Sequence, residues 1–105
     1  MKPFDIATEN PFTLWSIDQQ TRAAYARDAQ GTPVEPGHPH AVCFCAMGWL
    51  NFLNVDTGVQ ARFDYYLFER TSQSMIGLND GDRNWKPSDF RQAWEDFIRL
   101  ESRPS

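Results

Sequence analysis

The chain has 105 residues and a formal net charge of −4, the size of one small domain with a single core. Its lysines are Lys2 and Lys86, and its arginines are scattered, so it lacks the clustered cations that nucleic-acid binding requires. The acidic residues are neither dense nor grouped enough to mimic DNA.

Aromatic residues make up 14% of the chain, a surplus that points to a binding surface. Met1 to Ile6 lacks the apolar run of a signal peptide, and no segment approaches the roughly 20 apolar residues that span a bilayer. The expectation is a soluble, cytoplasmic protein with no nucleic-acid or membrane partner. Two cysteines separated by one residue do not form the framework of a disulfide-stapled domain.

The whole of 1–105 reads as one domain, with 1–9 and 101–105 as frayed termini. Asn10-Pro11 is a helix-start signal, and a helix from Pro11 to about Gln20 is predicted, with Phe12, Trp15 and Ile17 on its buried side. The alternation in Thr13 to Asp18 also fits a strand. Ala23 to Val34 reads as a hairpin closed by Asp28-Ala29-Gln30-Gly31, with Gly31 free to take positive φ and Pro33 marking an edge strand.

After a loop over Glu35 to Pro39, the apolar run from Ala41 to Asn54 is predicted as a helix. A third helix starts at Asp56-Thr57-Gly58 and buries Val59, Phe63, Tyr66 and Leu67, with a break at Ser72-Gln73-Ser74. Met75 to Leu78 then leads into a turn at Asn79-Asp80-Gly81-Asp82. The last helix has the clearest period: Pro87 opens it, and Phe90, Ala93, Trp94, Phe97 and Ile98 share one face.

His38, His40, Cys43 and Cys45 are the ligand types of a structural zinc site, but they crowd into one loop and one helix start instead of two knuckles. On a helix, Cys43 and Cys45 would project about 200° apart, which prevents a shared ion. No metal and no cofactor are expected, with His38 and His40 the residual metal candidates. A cysteine in a first helical turn has its thiolate favoured, so Cys43 or Cys45 with His40 is the candidate nucleophile and base of a small thiol- or metal-dependent enzyme. Against this, free cysteine usually packs as a small hydrophobe.

Asp80 to Asn84 begins like a calcium loop and fails at Trp85 and Arg91. Arg27, Asp28, Asn79 and Asp80 are the polar candidates for specific binding. Phe63-Asp64-Tyr65-Tyr66-Leu67-Phe68 places aromatics on nearly all sides of one helix. Either that helix is central, or Tyr65, Tyr66 and Phe68 serve a partner chain.

Ala26 to Val34, then Ala41 to Leu50 with Cys45-Ala46-Met47-Gly48, then Ile76 with Asn79-Asp80 and a closing amphipathic helix together resemble a family of small bacterial and phage proteins classed as a domain of unknown function. The resemblance spans most of Trp15 to Ile98. It implies no metal, cofactor or assigned activity, and it points to Cys45 and not to Cys43. The chain departs from the pattern at Trp49, where the family tends to have Ala, and in its two histidines.

The expected architecture is mainly α: three to four helices packed around the helix from Ala41 to Asn54, with one short β-hairpin at the edge (α+β). The expected role is a non-enzymatic protein-binding or self-associating module of phage or mobile-element origin. It would act through a protein partner or as a homodimer with the aromatic helix as its seam.

Overall fold

A computed structural model of the chain describes residues 10–81 and 83–101; the expected fraying of 1–9 and 102–105 lies outside the described residues, as does Asp82 of the calcium-like loop. Asn10 Oδ1 accepts the Phe12 N–H at 3.0 Å and Pro11 follows, as a helix start requires. The predicted helix to Gln20 nevertheless does not form. Two 3-10 turns, Pro11–Leu14 and Ile17–Gln19, stand either side of extended backbone at Trp15 and Ser16.

Tertiary contacts explain the break. Asn10 Nδ2 donates to the Arg91 carbonyl at 3.0 Å, and the Trp15 indole N–H reaches the Gln19 carbonyl at 3.0 Å, which a continuous helix would not permit. Phe12 and Trp15 are buried, whereas Ile17, expected in the core, is exposed.

The hairpin forms where predicted. Strand β1, Ala26–Arg27, pairs antiparallel with β2, Pro33–Val34, matching Ala26 to Val34 and Arg27 to Pro33. Asp28 closes its loop three times over: its carbonyl accepts from Gly31, and its Oδ1 accepts from the backbone of Gln30 and Thr32 at 3.0 and 2.9 Å. Gly31 sits at φ +82°, in the region that glycine occupies without strain.

A third strand, β3, Cys43–Phe44, adds to the other side of β1, giving the antiparallel order β2-β1-β3 with Pro33 on an outer strand. Residues predicted as the first turn of a helix are therefore sheet. Helix α1 runs only over Ala46–Phe52, with Cys45 as its N-cap. A short apolar run carries both periods, and pairing with β1 decides between them.

Helix α2, Thr57–Thr71, is capped by Asp56, whose Oδ2 accepts the Val59 N–H at 3.1 Å. It ends at Ser72 in a left-handed conformation, and Ser74 caps helix α3, Met75–Asp80. Asn79 and Asp80 thus close a helix, where a turn was expected. Helix α4, Pro87–Glu101, carries Phe90, Trp94 and Phe97 inward. Glu101 is its last residue and pairs with Arg62 at 2.7 Å, so it does not belong to a frayed tail.

Among the described residues the result is four helices and a small three-stranded sheet, an α+β arrangement dominated by helix. Its core centres on Phe12, not on α1. The Phe12 ring meets Trp15, Phe63, Phe90 and Trp94 at centroid separations of 5.6 to 5.9 Å. Trp49 stacks on Trp15 at 6.2 Å and donates its indole N–H to the Pro11 carbonyl at 2.6 Å. Such pairs add about 0.5 to 1.5 kcal/mol each beyond area burial.

Candidate functional site

Burial and pairing sort the candidate residues. Cys45 is 2% exposed, and its Sγ accepts the Gly48 N–H at 3.3 Å as the cap of α1. Burial raises its pKa above the ordinary thiol range, backbone hydrogen bonds from the first turn of α1 offset this in part, and the Asp80 carboxylate adds to the rise. The sulfur at the positive end of a helix is thus held as a thiol, the reverse of an activated nucleophile.

Cys43 is not in a helical turn. It lies half-buried on β3, its Sγ 3.9 Å from the Arg27 carbonyl. The separation of the two cysteines arises from a strand-to-helix junction, not from opposite sides of one helix.

The imidazoles face each other at 5.4 Å, and His38 Nδ1 accepts the backbone N–H of His40 at 3.0 Å. In the neutral ring that bond leaves the proton on Nε2, so His38 has no free lone pair with which to take a thiol proton. Among the described hydrogen bonds, neither imidazole reaches a sulfur. Among the described residues no group of three or more His, Cys, Asp or Glu side chains is placed to hold a metal ion.

An open cleft of about 770 Å³ does bring His38, Cys45 and Asp80 to one wall, with Tyr25, Val34 and Ile76 around them. Of the two histidines near the cysteines, it is His38 that shares this cleft with Cys45. Burial raises the pKa of the Cys45 thiol in this cleft, and His38 Nδ1 is engaged with the His40 backbone N–H.

Three of the polar candidates are engaged within the fold. The Arg27 guanidinium donates to Thr21 Oγ1, the Gly31 carbonyl and the Arg22 carbonyl at 3.0, 2.8 and 3.0 Å, bracing the hairpin. Asp28 closes the turn. Asn79 is fully buried and uses its whole amide: Oδ1 accepts from Gln20 Nε2 and the Ala46 N–H, and Nδ2 donates to the Thr21 carbonyl and Asp80 Oδ1. Asp80 is exposed apart from that bond.

The aromatic candidates split by face. Tyr66 is buried against Phe63 and Phe97, with the Arg70 guanidinium 4.6 Å above its ring. Tyr65 and Phe68 are 65% and 54% exposed on the opposite side of α2. One face of this helix is therefore central, and its other face leaves Tyr65 and Phe68 exposed. Beside Tyr65 an open groove of about 660 Å³ runs between α2 and α4, lined by Arg62, Tyr65, Tyr66, Glu69, Arg70 and Leu100 among others.

Leu100, Arg62 and Glu69 were not picked out as site residues from the sequence. For Arg62 and Glu69 the signal is a second spacing on α2, Gly58, Ala61, Tyr65 and Phe68, which they flank and which the stronger core stripe masks; Leu100, on α4, has no such signal. The Tyr65 phenol is raised above its ordinary pKa by hydrogen bonding to the Glu69 carboxylate and by its charge.

Among the described residues no helix is long and apolar enough to cross a membrane. Comparison with known protein families, with curated proteins and with solved structures finds no match to this chain.

Proposed function

We propose that this protein is a non-enzymatic interaction module whose contact surface is the outer face of α2 with the groove it shares with α4. The observation that carries the reading is the exposure of Tyr65 and Phe68 on a helix whose opposite face is already buried in the core. Aromatic side chains with Arg beside them are the residues that dominate protein interfaces, because they bury much area at little entropic cost. The groove adds Arg62, Arg70 and Glu69 as a polar rim around Tyr65 and Leu100.

Other exposed apolar side chains, Leu14, Ile17, Val42 and Phe52, sit on the 3-10 turns, beside β3 or at the end of α1. Scattered residues of that kind are ordinary on a globular surface.

A photoreactive amino acid placed at position 65 or 68 in the cell of origin tests the reading, with position 42 as the control. Protein cross-links confined to 65 and 68 support it. An identical pattern from position 42 contradicts it.

A further inference from the structure

The outer face of α2 has a spacing that its surroundings do not use. Gly58, Ala61, Tyr65, Phe68 and the cap residue Ser72 recur at intervals of three and four and are all exposed, whereas Val59, Gln60, Phe63, Tyr66 and Leu67 face the core. The outer set fills the a and d positions of a heptad, the seam by which two helices pack. Small residues stand at both ends and the two aromatics in the middle, where two crossing helices lie nearest and rings can interdigitate.

We infer that the occupant of this face is α2 of a second copy of this chain, packed antiparallel about a twofold axis. This rests on the interaction-module reading above and names the partner. In that register Tyr65 meets Phe68 of the second copy and Ala61 meets Ser72, aromatic on aromatic and small on small.

Charge selects the orientation. Arg62 and Glu69 occupy successive e positions, and antiparallel packing sets e against e, so Arg62 faces Glu69 of the second copy and the pair occurs twice by symmetry. Parallel packing sets g against e and would bring Asp64 against Glu69, two carboxylates. Asp64 is not free to turn away, because its Oδ1 accepts the Met75 N–H at 2.7 Å. Arg62 is already oriented: its Nε bonds Glu101 at 2.7 Å, and its terminal nitrogens carry the remaining donors.

Light scattering of the full chain over a wide concentration range tests the inference. The expected result is a mass that rises to twice the monomer, lost in Y65E. R62E and E69R each weaken association about tenfold, since every reversal acts twice, and R62E/E69R restores it. E101Q, which leaves the charge pattern of α2 intact, does not mimic R62E.

A monomer at all concentrations overturns the inference, as does a double reversal no better than the singles. Cross-links from position 65 to a different protein, with the isolated chain monomeric, would overturn the second copy and leave the interaction-module reading standing. Cross-links indistinguishable from those at position 42 would remove that reading as well.

Discussion

Asn79 Oδ1, at the end of α3, accepts the backbone N–H of Ala46, the first residue of α1, at 3.2 Å. The same oxygen accepts from Gln20 Nε2 at 2.9 Å, and Gln20 Nε2 also reaches the Trp85 carbonyl at 2.8 Å. The Asn79 and Gln20 amides together tie the end of the 3-10 segment, the start of α1, the end of α3 and the entry to α4.

N79A should therefore destabilise the fold by about 3 kcal/mol, because it strands the buried Ala46 donor and the Thr21 carbonyl together. Denaturant unfolding measures this. A loss below about 1 kcal/mol would mean that the amide is replaceable.

Gly48 carries the same junction from the other side. A Cβ there would overlap the Tyr25 carbonyl oxygen, which itself accepts the Cys45 N–H at 3.1 Å. G48A is expected to cost roughly 2 to 3 kcal/mol by pushing the chain before β1 away from α1. Near-neutral behaviour in thermal unfolding would show that the approach is looser than described.

Two tryptophans separate packing from hydrogen bonding. Trp49 donates to the Pro11 carbonyl, whereas Trp94 Nε1 is buried with no hydrogen-bond partner among the described residues. W49F and W94F remove similar volume, so W49F should cost about 1 to 2 kcal/mol more. Equal losses would count against the Trp49 bond.

The buried thiol predicts a pH dependence. The folded Cys45 holds its proton to higher pH than the unfolded chain does, so stability is full below the ordinary thiol pKa of about 8.5 and falls as the pH rises above it. C45A should lack this alkaline slope. Tyr65 acts in a separate, higher window, near about 10, and is too exposed to matter much. A native thiol reagent should modify Cys43 well before Cys45, and fast reaction at Cys45 near neutral pH would revive the thiol-enzyme reading.

Much of this was legible in the chain. Helix α4 and the inner face of α2 follow from apolar spacing, and the hairpin follows from Asp28, Gly31 and Pro33, because those signals are local. Trp15 and Ser16 were misread as helix because distant groups hold this segment: Asn10 bonds the Arg91 carbonyl, and Trp49 takes the Pro11 carbonyl that a helix would offer to Trp15. Cys43 and Phe44 were misread because only β1, some seventeen residues earlier, turns an apolar run into a strand. Asn79 looked like a turn residue, and its actual partners at Gln20, Thr21 and Ala46 are too distant in sequence to be read from it. The outer aromatics were visible as a surplus, but which of them face outward was fixed only by the core around Phe63.

The most direct measurement compares stability and association of Y65S/F68S with the parent chain. Unfolding unchanged within about 0.5 kcal/mol at concentrations where both proteins are monomeric, together with loss of association at higher concentration, is the predicted result, since these rings contribute to binding and not to the core. A large loss of stability with association intact would contradict it.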